Sequence, residues 1–122
     1  MRNQTTDLPP ITIAVTPLSR EVAVVRLAGV LDRETAPLAR EQIVATVAQG
    51  HKKLIVDLSA VPRVDGPGVQ TLAYSRHRLR HAGGDLRIAA PTTPVKERIA
   101  VAALDDVLPI HPTIEDALAD VS

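Results

Sequence analysis

The residues of this sequence that could do chemistry lie in three short stretches. Asp32 closes Gly29-Val30-Leu31-Asp32, and Asp65 opens Asp65-Gly66-Pro67-Gly68; each stands just ahead of a helical pattern. Two carboxylates so placed could share a metal or move a proton. Alternatively, each could accept hydrogen bonds from the free amides at the start of its own helix. The neighbouring loops offer no third carboxylate, so capping outweighs a metal site. Gly66-Pro67-Gly68 could cradle a phosphate on its amides. Pro67 removes one of those amides, however, and the segment is not G-x-x-x-x-G-K-[ST], so a nucleotide loop is excluded. Its glycines instead suit a tight turn and a closely docked partner. His77 and His81 have the i, i+4 spacing of a metal pair. Arg76, Arg78 and Arg80 beside them would repel a cation, so this run reads as a solvated helix end. No serine or threonine has an evident base nearby, so nucleophile, base and oxyanion donors do not come together. No catalytic residue, metal ligand or cofactor is expected.

Composition narrows the classes further. The 122 residues fit one domain. There is no cysteine, which excludes disulfides, thiolate zinc sites and thiol catalysis. Lys+Arg and Asp+Glu are 14 each, so no net charge draws the chain to a polyanion or an anionic membrane. Tyr74 is the single aromatic residue. The core must therefore be aliphatic, and the stacking platforms of single-stranded nucleic-acid binders are missing. No apolar run approaches the roughly 18 residues of a membrane span. The opening MRNQTTDLPP is polar and unlike a secretory signal. These features point to a cytoplasmic domain with no nucleic-acid partner and no membrane insertion.

The elements that must position these residues follow from periodicity. Residues 1–10 read as a flexible tail and 11–122 as a single domain. Strands are expected at 11–15, 22–27, 54–58, 86–90 and 107–110. One helix opens at Thr35, whose hydroxyl is expected to cap it, with Ala36, Ala39, Ile43 and Val47 inward. A second follows the loop 59–68, with Val69, Leu72, Ala73 and Leu79 inward. A third starts at Thr93-Pro94 and buries Val95, Ile99, Ala102 and Ala103. A fourth starts with Thr113 and Asp116 in a near capping box. The order β-β-α-β-α-β-α-β-α predicts an α/β fold. Its sheet is mixed and mostly parallel, with about five strands, an antiparallel N-terminal edge strand and about four helices mainly on one side. In such a sheet the loops after the strands gather at one edge, where ligands bind. Here those loops are 29–32, 60–68 and 91–93.

Four stretches, in this order, resemble one known family. They are Val25-Arg26-Leu27-Ala28-Gly29-Val30-Leu31-Asp32 with Thr35, Leu54-Ile55-Val56-Asp57-Leu58-Ser59-Ala60-Val61, Arg63-Val64-Asp65-Gly66-Pro67-Gly68-Val69, and Ala103-Leu104-Asp105-Asp106-Val107-Leu108-Pro109-Ile110 leading to Glu115-Asp116-Ala117-Leu118. From Val24 onward the chain resembles the STAS family, whose best-known members are anti-sigma-factor antagonists. The resemblance implies a non-enzymatic, bacterial, cytoplasmic regulator that binds an anti-sigma factor with a histidine-kinase-like ATPase fold. It places the partner-binding residues at Asp32, Val64, Asp65, Gly66, Pro67, Gly68 and Val69. In the family's D-S-[ST]-G-L switch loop, Asp65 matches the aspartate, Gly68 the glycine and Val69 the leucine. Gly66 stands where the family carries its phosphorylated serine or threonine, and Pro67 takes the next hydroxyl position. The phosphoacceptor is therefore expected to be absent. Rival readings are a STAS module of another signalling or transporter-associated complex, a small-ligand sensor, and a small enzyme using the same edge. Homodimer formation stays open.

Overall fold

The computed structural model describes residues 10–102 and 107–121. The elements are β1 (Ile11–Pro17), β2 (Val22–Gly29), α1 (Ala36–Ala48), β3 (Lys53–Ala60), α2 (Gly66–His81), β4 (Asp85–Ala89), α3 (Thr93–Val101), β5 (Ile110–His111) and α4 (Ile114–Val121). The strands lie in the order β1-β2-β3-β4-β5. β1 runs antiparallel to β2 at the edge, and β2 to β5 are parallel. The expected order of elements and the mixed sheet are thus both present. The expected tail before Pro10, and Ala103 on the third helix, fall outside the described residues.

Strand alternation divides the core in two. Ala23, Val25, Leu27, Leu54, Val56, Leu58, Leu86 and Ile88 face α1, α2 and α3. Ala39, Ile43, Val69, Leu72, Leu79, Val95 and Ile99 pack down on them. The other face, with Val22, Val24, Ile55 and Ala89, is covered by α4 through Ala117 and Val121. Three helices on one side and one on the other explain why β2 and β3 carry apolar residues at consecutive positions. A parallel strand covered on both faces has no solvent side to keep polar.

Three local details differ from expectation. β5 begins at Ile110 rather than at residue 107. Pro109 has no N–H for a ladder, and only its carbonyl is used, accepting from the Ile88 amide at 2.9 Å. α2 begins at Gly66, inside the stretch expected as loop, because Asp65 caps it and Pro67 suits a first turn. Thr35 does not cap α1 with its hydroxyl. That hydroxyl donates to the Val30 carbonyl at 2.8 Å and accepts from the Asp32 amide at 2.9 Å.

Two buried aspartates hold the sheet to its surroundings. Asp57, 1% exposed, accepts from Arg26 Nε at 2.9 Å across the β2–β3 pair and from the Ser59 amide at 2.9 Å. Asp85 accepts from Arg76 Nε and Arg87 Nε at 2.9 Å each and from the Leu86 amide at 2.8 Å. It thereby joins α2 to the start of β4. Burial alone would raise both carboxyls. The Ser59 and Leu86 amides and the arginines outweigh it and hold both below their ordinary value of 3.8. A carboxyl held below its unfolded value contributes stability above that value, and the contribution is lost as pH falls through it toward the folded one. Thermal midpoints should therefore be flat near neutrality and fall once pH drops below about 4. Asp85→Asn should cost about 1–3 kcal/mol at pH 7, because the charge acceptor for two half-buried guanidinium groups is gone. The same variant should show a shallower acid-side fall than the parent in a melting series across pH. An unchanged acid limb would rule out this role for Asp85.

Candidate functional site

The three loops expected at one edge do meet there. Leu31 and Val64 form an isolated parallel bridge beyond the end of the β2–β3 ladder. Within it the Leu31 amide donates to the Arg63 carbonyl and the Asp65 amide to the Leu31 carbonyl, both at 3.2 Å. The third loop is tied in by Thr92, whose hydroxyl donates to the Val61 carbonyl at 3.0 Å.

Both aspartates act on backbone amides. Asp32 Oδ1 accepts from the Glu34 amide at 2.9 Å and the Thr35 amide at 3.0 Å, an Asx-type turn that leads into α1. The Thr35 amide is the main reason the Asp32 carboxyl lies below its ordinary value, and the Arg63 charge adds to it. Asp65 Oδ1 accepts from the Gly68 amide at 2.8 Å, an N-cap bond onto the third residue of α2. Its Oδ2 accepts from the Arg33 amide at 3.0 Å. Asp65 therefore caps one helix and clamps the loop before the other. Both carboxylates thus position backbone at this edge. Among the described residues no three acidic or imidazole side chains cluster as a metal site would require. His77 and His81 lie edge to face, 4.5 Å between ring centres, on the exposed side of α2.

Close approach at this edge depends on Gly68. A Cβ there would lie 2.5 Å from the Leu31 carbonyl oxygen, so only glycine lets the first turn of α2 rest on the β2 loop. Gly66 is different: beyond its chain neighbours, a Cβ would meet only the end of the Arg98 side chain, at 3.3 Å. Arg98 thus reaches from α3 to the first residue of α2.

The seven residues named from the sequence divide by depth. Val64, Gly68 and Val69 are buried and form the underside of the edge. Val69 is wholly inside the core, so a charge there would disrupt the fold and cannot probe a surface. Asp32, Asp65 and Gly66 are half-buried, and Pro67 is exposed. Arg33, Arg63 and Arg98 complete the face and were not singled out by sequence reasoning. The guanidinium groups of Arg33 and Arg98 have no partner among the described residues. Their signal was an arginine beside each loop, which spacing alone does not separate from an ordinary solvated charge.

The STAS domain profile matches residues 14–117. The chain belongs to the STAS family. Its five-stranded mixed sheet with four helices is the STAS α/β fold. Anti-sigma-F factor antagonist RsfA of Mycobacterium tuberculosis (strain H37Rv) is 33% identical over 75 residues. That match covers 62% of this chain and 59% of the relative, so less than two-thirds of RsfA is matched. The crystal structure of an anti-sigma factor antagonist from Mycobacterium paratuberculosis superposes with a TM-score of 0.79 at 32% identity, over 91% of this chain and 93% of that one. The Bacillus cell fate determinant SpoIIAA in its phosphorylated form has a TM-score of 0.69 at 20% identity, over 91% of this chain and all of that one, which speaks for the fold alone.

The two STAS glycines should respond unequally to alanine. Gly68→Ala forces the added methyl onto backbone and should destabilise by about 1–3 kcal/mol in urea unfolding. Gly66→Ala should cost less, under about 1 kcal/mol, because apart from the neighbouring Pro67 ring only a flexible side-chain end must move. Equal effects would mean that the α2–Leu31 contact does not limit the edge.

Proposed function

We propose that this STAS domain is a cytoplasmic, non-enzymatic anti-sigma-factor antagonist that works without a serine/threonine phospho-switch on its switch loop. Support for antagonism comes from the relatives, two of which carry that description at 32–33% identity. The missing switch rests on Gly66, the first residue of α2, at the place where the family pattern has its hydroxyl. The next residue, Pro67, also lacks one.

On this reading the partner is an anti-sigma factor with a histidine-kinase-like ATPase fold, docked on Asp32, Asp65, Gly66, Pro67 and the surrounding arginines. Val64, Gly68 and Val69 shape that face from beneath. A phosphate normally adds about −1.5 to −2 charges at a site of this kind. Neither Gly66 nor Pro67 can take one, so ATP cannot release the partner by modifying this loop. The remaining hydroxyls nearby are poor substitutes. Ser75 is buried, Thr71 lies on the second turn of α2, and Ser59 belongs to β3, before the loop.

Two measurements test the reading. Pro67→Glu puts a carboxylate on the exposed first turn of α2, where acidic residues are well tolerated. It should weaken binding to the anti-sigma factor at least about tenfold, some 1.4 kcal/mol, with the melting temperature unchanged. Unaltered affinity would move the interface elsewhere. Incubation with the partner and ATP should leave the intact mass of the parent unchanged, whereas Gly66→Ser should become a phosphoacceptor. A phosphate mapped to Ser59, Thr71 or Ser75 of the parent would restore the switch and overturn the proposal.

A further inference from the structure

The single aromatic residue of this chain is not in its core. Tyr74 is 52% exposed on the outer side of α2, and Val44 on α1 is 61% exposed opposite it. Between them lies a recess of about 440 Å³, within the roughly 300–1,000 Å³ range of small-molecule sites. Ile43 and Leu79 form part of its lining and belong to the core beneath.

Its polar groups are few and all suit an anion. Arg78 reaches across Tyr74, its Cζ 5.8 Å from the ring centre and its Nη1 donating to the phenol oxygen at 3.1 Å. That fixes the guanidinium while leaving most of its five N–H donors unused. Arg40, also lining the recess, has no side-chain partner among the described residues. Ser75 lines it too, is 6% exposed, and makes no side-chain hydrogen bond among the described residues. Its hydroxyl adds one donor beside the two guanidinium groups.

We propose that the α1–α2 recess binds one molecule of a medium-chain fatty acid or a similar anionic amphiphile. Its carboxylate pairs with Arg40 and Arg78 and accepts from Ser75, and its alkyl chain covers Val44, Ile43 and Tyr74. The site is separate from the loop edge and does not depend on the function proposed for it. Charge decides against other occupants. A second copy docked by two-fold symmetry would set arginines against arginines. Residues 1–9 contain only Met1 and Leu8 as large apolar side chains, too few to line the recess. A lipid bilayer needs a projecting apolar face, whereas this one is hollow.

Tyr74 provides the assay. It is the only tyrosine, and there is no tryptophan, so intrinsic fluorescence reports on this recess alone. Decanoate, titrated below its micelle concentration, should change that fluorescence saturably and raise the melting temperature, as any ligand of the folded state does. Acetate, which lacks the chain, and decyltrimethylammonium, which reverses the charge, should do neither. Val44→Glu and the double variant Arg40→Gln/Arg78→Gln should each weaken decanoate at least tenfold; all three positions are exposed, so the fold is retained. Failure of decanoate to saturate, an equal response to the cationic amphiphile, or full affinity in both variants would overturn the proposal. So would a fluorescence change seen only with phosphatidylglycerol vesicles, which would point to a membrane surface instead.

Discussion

The contact between Gly68 and the Leu31 carbonyl sets how α2 meets the loop after β2, and the geometry of the loop edge follows from it. With no Cβ in the way, the first turn of α2 sits directly on the loop that follows β2. The Leu31–Val64 bridge then extends the pairing of β2 and β3 past the sheet proper. Two loops that would otherwise be independent become a single backbone unit. Asp65 closes it with one oxygen on α2 and the other on the amide of Arg33. A partner docking here meets a preformed surface, and less of its binding energy goes into ordering loops.

Rigid geometry also assigns the carboxylates. A catalytic acid or a metal ligand must keep lone pairs free for substrate or ion. Asp32 Oδ1 accepts two amides of its own loop, and Asp65 shares its two oxygens between α2 and the Arg33 amide of the other loop. Arg33 and Arg98 carry uncommitted guanidinium groups at this edge, and Arg98 lies over Gly66. On the proposed reading, this permanent positive charge stands near the position where the family pattern has its phosphorylated hydroxyl. The charge of the edge then stays constant, and control must come through competition for the partner or through another part of the domain.

Much of this was legible in the sequence because it depends on local pattern. Alternating apolar residues in β1, the buried runs of β2 to β4, and the inward positions of α1 and α2 follow from periods of 2 and 3.6. The aspartates before the helices were readable as backbone acceptors for the same local reason. The misses share a different cause. Whether Gly66-Pro67-Gly68 is loop or first helical turn turns on the Asp65 cap, which glycine and proline preferences do not distinguish. Thr35 was assigned a cap, but α1 has no side-chain cap, and the Thr35 hydroxyl is turned back onto Val30 and Asp32. The pairing of Asp57 with Arg26 and of Asp85 with Arg76 and Arg87 comes from strand register and helix placement. No spacing rule reaches across those distances in sequence.

The near absence of aromatic residues connects the core to the outer helical face. An aliphatic interior must fill its volume with small branched side chains, and in this molecule Val, Ile, Leu and Ala do so completely under α1 to α3. The one large ring in the chain is left on the surface, held beside Arg78 and opposite an exposed valine. Tyrosine and arginine together are the side chains that contribute most at binding surfaces, because each offers a wide apolar plane and a polar tip. Packing gives Tyr74 no role in stability comparable to that of Leu72 or Leu79 on the same helix, which are buried. On the proposal made above, its exposure and the two arginines at the rim share one explanation, a ligand that is itself part apolar and part anionic. The domain then has two separable surfaces: a backbone-built edge at the helix starts, and a side-chain-built recess along α1 and α2. Both rest on the same pair of helices, so a ligand that shifts α1 against α2 would be felt at the Asp65 clamp.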